Sequence, residues 1–406
     1  MSVLTPAAVA LIREHAAEAE RRGELHPAVL ELIYEQQWFR SMVPRRFGGL
    51  GWPLPAVVRL EEELAWADGS VGWTVTLCSG AGWFAGFFGP GEPDHLFSHP
   101  RLCIAGSGTA AGRAERLAGG GYRVSGQWSY ASGARHAMAF TANCAIWADG
   151  APVPGDDGRP LVRPFLFLRK EVQVLDDWQA VGLVATGSHG FAVAELEVSA
   201  ERCFLIDGAA GPDPSPLYRY PFLPLAETTL AVNSCGMAWH FLECFAEIFE
   251  RRKGHLPAAG VEEARVVFGK ARSELVRVRE EFYAALDASW AMLTQGTAGT
   301  EGSGADAARA ARADAARANA ADAARADAAD GTRADAAGRD ANAQEAGAGS
   351  FEAVSMTSKA LAATVRQWID RLYPYAGLGA AHVGSEINRV WRDLHTASQH
   401  PLLVFG

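Results

Sequence analysis

The spacing of apolar residues changes twice along this chain, and that change limits the folds open to it. From Thr5 to Trp38 residues such as Val9, Ile12, Leu30 and Ile33 recur at helical spacing with charges between them, and Pro27 restarts a helix rather than breaking one. Two helices are expected there. The string VPRRFGGLGWPLP, residues 43–55, is too rich in Gly and Pro for regular structure and reads as a loop. Two further helices follow, a Glu-faced one over 56–67 and a more apolar, buried one over 70–88. The pattern then shifts to short β-rich runs at 102–105, 122–125, 139–147, 164–168, 172–175 and 191–198, separated by Gly or Asp turns and sufficient for a sandwich or barrel. Helical periodicity returns over 226–249, 261–293 and 351–373, in segments long enough for a bundle.

This order predicts an α+β chain in three parts: an N-terminal helical domain (1–100), a central β domain (101–210) and a C-terminal four-helix-bundle domain (211–406). A tract of ADAAR near-repeats interrupts the last part at about 297–349. It lacks large apolar side chains and so has no face to bury, which predicts an inserted surface loop or a weak solvated helix.

Composition narrows the functions. A net charge of −10 over 406 residues argues against a nucleic-acid or anionic-membrane partner, because phosphate binding needs a basic surface. The six cysteines show no C-x-x-C spacing, so buried thiols in a reducing cytosol are expected. Neither a signal peptide nor a membrane-spanning run is visible, and a cytoplasmic protein is expected. With 49% hydrophobic residues and twelve Trp, walls for a pocket around a planar ligand are available.

Five strings carry a resemblance. They are VPRRFGGLGWPLPAVVRLEEELAWADGSVGW, VSGQWSYASGARHA, VGLVATGSHGFAVAELEVSAERC, EEARVVFGKA and NRVWRDLHTASQHP, in that order. Together with the helix, strand, helix sequence they resemble the acyl-CoA dehydrogenase superfamily, and the last string resembles its flavin-dependent monooxygenase branch. Read as a strand, WSYAS would put Trp128, Tyr130 and Ser132 on one face. The resemblance implies that Tyr130 lies against the flavin ring and that the Ser132 hydroxyl meets its N5. A Tyr in the core and a Ser at a turn is the plainer reading of the same residues. The resemblance also places Ser107 and Thr109 of IAGSGTAAGRAE at the flavin, on a Gly-rich strand-to-loop segment where backbone N–H groups can approach the ring. It places Thr186 and Ser188 at the cofactor's edge and Arg265 against a flavin phosphate of a neighbouring subunit, which implies a homo-oligomer, a dimer or tetramer. Turn residues and a solvated Arg would explain the same positions.

The C-terminal string separates two chemistries. A dehydrogenase needs a carboxylate over the flavin to take the proton α to a thioester, and Glu227 lies near a position where the superfamily carries one on a bundle helix. The C-terminal string, WRDLHTASQHP, instead resembles the monooxygenase branch, where a His at this location sits near the flavin's C4a edge and a donor with a pKa close to neutral suits the chemistry; His400 first, with His395 second, fits that place. The resemblance therefore implies an enzyme that uses reduced flavin, FMNH2 or FADH2, and O2. Through a flavin C4a-hydroperoxide it would oxygenate a small organic substrate, expected to be aromatic, with His400 and Ser132 protecting that adduct. No NAD(P)H site is visible, so a separate NAD(P)H-dependent flavin reductase is the expected partner. One departure stands out: LCSGAGWFAGFFG, residues 77–89, holds no His where phenol hydroxylases of the branch carry one, and His95 and His99 beyond it are expected to face water. Trp83, Phe84, Phe87 and Phe88 read either as core or as a pocket wall.

Overall fold

The computed structural model describes residues 3–404 except 90, 92, 156, 209, 210 and 296–339, with the backbone alone of 340–348. The N-terminal helices begin and end where local chemistry dictates. Helix α1 (Pro6–Arg22) starts with Thr5 accepting a hydrogen bond from the Ala8 N–H and ends at Gly23 in the left-handed region, while α2 (Pro27–Glu35) opens on Pro27 behind a His26 cap. Helix α3 (Leu54–Ala67) and helix α4 (Gly69–Trp83) follow, with Asp68 capping the Val71 N–H between them. Helix α4 is buried almost all round, which accounts for its lack of a polar stripe. Two glycines allow that: a Cβ on Gly72 would strike the Ala65 backbone at 2.6 Å, and one on Gly236 would strike the Glu62 carbonyl at 2.3 Å. Helix α3 is thereby pressed between α4 and helix α7 (Phe222–Arg252). The short α5 (Asp94–Phe97) leads into the sheet and α6 (Pro216–Arg219) leads out of it.

The β segment is one mixed seven-stranded sheet, not the expected sandwich or barrel. Its strands are β1 (Ile104–Arg116), β2 (Tyr122–Trp128), β3 (Ala139–Ala148), β4 (Ala151–Pro152), β5 (Val162–Leu168), β6 (Gln173–Val174) and β7 (Phe191–Val198). The order is β4-β3-β1-β2-β7-β6, with β5 also paired to β3, and β1 runs parallel to β3 while the other pairs are antiparallel. Pairing order is set by contacts distant in sequence, which the run lengths do not reveal. The Gly-rich segment expected as strand-to-loop is a single long strand that bulges between Ser107 and Gly112. Trp128 lies over the facing pair Gly112 and Gly126, stacks on Phe191 at 5.1 Å and donates its indole N–H to the Asn143 carbonyl.

Helix α8 (Ala258–Gln295) and helix α9 (Asp340–Leu372) pack on α7, and α10 (Glu386–Ala397) and α11 (Pro401–Val404) close the chain. The largest apolar cluster runs from Met42 and Val57 through α7 to Leu403, so the N-terminal helices and the bundle share one core. Glu62 of α3 is held in it by Arg279 at 2.6 and 2.8 Å and by the Tyr283 hydroxyl at 2.6 Å. Of the ADAAR tract, residues up to 339 lie outside those described, and 340–349 open α9.

Candidate active site

Ser132 is the natural starting point. Strand β2 ends at Trp128, and Tyr130 has φ +67°, so the strict alternation expected for WSYAS breaks and Trp128, Tyr130 and Ser132 do not share a strand face. The segment is a turn instead. Ala131 N–H donates to the His189 carbonyl at 3.1 Å, and Gly133 N–H donates to the Thr186 carbonyl at 2.8 Å with Gly133 at φ +76°. This turn buries Ser132 and leaves Tyr130 71% exposed, its ring edge-on to Trp178 at 6.2 Å.

Ser132, Ser188 and Thr186 come from two strings 54 residues apart and form one buried chain. Ser132 Oγ lies 2.8 Å from Ser188 Oγ, Ser188 Oγ lies 2.6 Å from Thr186 Oγ1, and Thr186 Oγ1 donates to the Leu183 carbonyl at 2.7 Å. Leu183 has φ +52°, and its carbonyl also accepts the Trp178 indole N–H at 3.1 Å. Its own N–H donates to Asp393 Oδ1 of α10 at 2.5 Å. The turn fits against α10 because Gly182 has no side chain: a Cβ there would meet the Arg392 carbonyl at 2.1 Å. Burial and the neighbouring Asp68 carboxylate hold Asp393 well above the usual carboxylate range.

His400 sits in the turn between α10 and α11. Its ring lies 6.1 Å from that of Trp73 on α4, and burial pushes its pKa down to about 4. The expectation of a group close to neutrality is therefore corrected, since a largely enclosed imidazole loses the hydration that would support its charge. Nδ1 accepts the Leu402 N–H at 3.3 Å, which leaves the neutral ring's proton on Nε2, a donor. His395, by contrast, is committed to the bundle: Nδ1 faces the Trp391 carbonyl at 2.7 Å and Nε2 faces Asp370 at 2.7 Å. Helix α4 links His400 to the hydroxyl chain, because Trp73 meets His400 while Thr74 and Cys78 abut Gly133.

The remaining candidates lie further out. Ser107 is half-buried and Thr109 exposed on the β1 bulge, where Asn143 holds the Gly108 carbonyl at 2.7 Å. Arg265 is exposed on α8, and His95 and His99 are exposed. Trp83 is fully buried and donates to the Leu217 carbonyl, so it is core. Phe87 and Phe88 line an open cleft of about 270 Å³ with Phe204 and Leu205. Glu227 is fully buried on α7, with Lys359 Nζ 3.1 Å from Oε1. Asp393, Leu183 and Trp178 were not anticipated as site residues; Asp393 lies inside a resemblance-bearing string, but its partner is 210 residues away.

A planar redox ring suits these groups. Tyr130 presents an exposed aromatic ring edge-on to the half-buried Trp178, and the Ser132 hydroxyl lies two residues further along the same turn.

Residues 7–89 match the family model described as acyl-CoA dehydrogenase, N-terminal domain. Among solved structures, a 3-HSA hydroxylase from Rhodococcus sp. RHA1 superposes with a TM-score of 0.77 at 20% identity, over 98% of this chain and 91% of that one. XiaF from Streptomyces sp., in complex with FADH2 and glycerol, superposes at 0.70 and 20% identity over 98% and 89%. The fold is thus that of the acyl-CoA dehydrogenases. Among curated relatives, the indole-3-acetate monooxygenase of Pseudomonas putida is 27% identical over 284 residues, 68% of this chain and 70% of that protein. The flavin-dependent monooxygenase oxygenase subunit HsaA of Rhodococcus jostii is 24% identical over 398 residues, 96% and 91% of the two chains. The homologues of this chain are therefore oxygenase components of flavin-dependent monooxygenases.

Proposed function

We propose that this chain is the oxygenase component of a two-component flavin-dependent monooxygenase. Reduced flavin, FMNH2 or FADH2, arrives from a separate NAD(P)H-dependent reductase and supplies two electrons. One atom of O2 enters a small aromatic substrate, and the other leaves as water with the flavin's hydrogens. The observation that carries this reading is the buried Ser132, Ser188 and Thr186 chain beside the exposed Tyr130, in a chain aligned over nearly its full length with an oxygenase subunit. Tyr130 would cover one face of the flavin ring and Ser132 would meet N5. Ser107 and Thr109 would line its edge, and Arg265 would reach a phosphate across a subunit boundary. Neutral His400 would donate from Nε2 near the reacting edge and, with Trp73, keep water away. His395 is assigned to hold α10 against α9.

Exposed Val266, Val276 and Met356 on α8 and α9 support a homo-oligomer, a dimer or tetramer. All six cysteines are free thiols and no described helix is long and apolar enough to cross a membrane, in keeping with a cytoplasmic site of action. A dehydrogenase reading is disfavoured because the Glu227 carboxylate faces the Lys359 ammonium instead of standing free as a base.

The test mixes anaerobic protein and reduced flavin with O2 and follows flavin reoxidation and H2O2 release, with indole-3-acetate and resorcinol as substrate probes. The protein should delay H2O2 release relative to free flavin. His400→Ala should shorten that delay by roughly 100-fold, as expected when a positioned proton donor is lost, and Ser132→Ala should shorten it by removing the acceptor that meets N5. Reoxidation indistinguishable from that of free flavin would sink the proposal.

A further inference from the structure

The hydroxyl chain has a direction. A carbonyl oxygen only accepts, so Thr186 must spend its single hydroxyl hydrogen on Leu183. Thr186 Oγ1 can then only accept from Ser188, and Ser188, its hydrogen spent, can only accept from Ser132. Each hydroxyl has one hydrogen, so the whole order follows from the last link. That link is firmly set: the Leu183 carbonyl is held in place by the Trp178 indole at 3.1 Å and the Thr186 backbone N–H at 3.2 Å, the Thr186 hydroxyl approaches it most closely at 2.7 Å, and the Leu183 N–H is tied to Asp393. Ser132 Oγ is left with lone pairs and no hydrogen to offer. Whatever polar atom meets it must be a donor.

We propose that this directed chain is a redox-state filter, with Thr186 and Ser188 as positioning residues that oblige Ser132 to accept and so select reduced over oxidised flavin. The inference rests on the proposed function, in which flavin N5 lies against Ser132. Reduced flavin carries hydrogen on N5 and can donate to Ser132. Oxidised flavin has a bare N5 lone pair, which would confront the Ser132 lone pairs without a hydrogen between them in a buried site. The chain thereby favours loading of the form that reacts with O2 and release of the form left afterwards.

Thr186→Val keeps the side-chain shape and removes the terminal donor. Ser188 is then free to donate to Ser132 or turn away, and Ser132 regains the option of donating to a bare N5. Affinities of FMN and FAD would be measured in both redox states, the reduced ones anaerobically, together with the midpoint potential of the bound flavin. The wild type should prefer the reduced form. Thr186→Val and Ser188→Ala should each cut that preference about tenfold, mainly by tighter oxidised binding, the size expected of one hydrogen bond's worth of discrimination. The bound potential should fall by about 30 mV, which is a tenfold change for a two-electron couple. Thr186→Ser should restore both values. If the variants bind flavin with the wild-type preference, the filter is refuted while the flavin reading stands. If the wild type binds neither redox state, the flavin reading itself fails and the filter with it. Should Thr186→Val not fold, Ser188→Ala decides alone, since it breaks the same chain one link earlier.

Discussion

Replacing His400 by Asn removes a titrating ring from the interior, and the consequence for stability can be worked out with its sign. Burial lowers the His400 pKa from an ordinary 6.5 to about 4. The unfolded chain therefore binds a proton on this residue at a pH where the folded chain does not, and acidification favours unfolding. Stability from this source is whole above about pH 6.5 and is lost as pH falls toward 4, by about 1.4 kcal/mol per pH unit and about 3 kcal/mol in all. Between about pH 7 and pH 5 the loss is about 2 kcal/mol. His400→Asn cannot titrate, so its own stability should lack this slope. Urea unfolding of both proteins at the two pH values gives the comparison directly: the wild type's advantage over His400→Asn should shrink on acidification by about 2 kcal/mol. A gap that stays constant would mean that the ring is not held neutral by its surroundings and would remove the case for Nε2 as a fixed donor.

Asp393→Asn should be well tolerated, because an amide can reproduce a protonated carboxyl and still accept the Leu183 N–H, whereas Asp393→Ala orphans that buried donor and should cost about 1–3 kcal/mol in chemical denaturation. Loss of the Asp393 anchor should also weaken the preference for reduced flavin, read by the same binding titrations. Replacing 297–339 by Gly/Ser linkers should preserve folding and flavin binding, since loop closure costs only about 0.6 kcal/mol per doubling of length. Aggregation with linkers of every length, scored by size-exclusion chromatography, would show that the tract is needed.

Helix positions were readable because their signals are local. Thr5 before Pro6, Gly23 after Arg22 and Asp68 before α4 each mark an end through their own chemistry. Strands β3, β5 and β7 are apolar runs whose composition suffices. The full length of β1 was not readable: GSGTAAG carries little β preference and is extended because β1 pairs with β3 on both sides of the bulge and with β2 beyond it. The turn after β2 was missed for a similar reason, since nothing in WSYAS announces that Tyr130 adopts a positive φ. Ser132, Thr186 and Ser188 could be singled out from two strings, but not their linkage. That depends on a left-handed Leu183 held by Asp393, and hence on a helix 210 residues later.

The distribution of these parts gives the near-complete burial of α4 a role. Its N-terminus is capped by Asp68, which lies against Arg389 of α10 at 3.8 Å and is the acidic neighbour that raises Asp393. One turn on, Trp73 meets His400 and Thr74 meets the Gly133 turn that carries Ser132. Asp393 in turn fixes Leu183, where the hydroxyl chain ends. The proposed proton donor and the proposed flavin acceptor thus share one rigid helix on one side and are tied to α10 on the other. Because α4 is buried almost all round, and Gly69, Gly72 and Gly82 bring it into direct contact with its neighbours, a displacement of either group must move the packed core. Preorganisation at this site is therefore a property of the helix core, although the hydroxyls belong to the β segment.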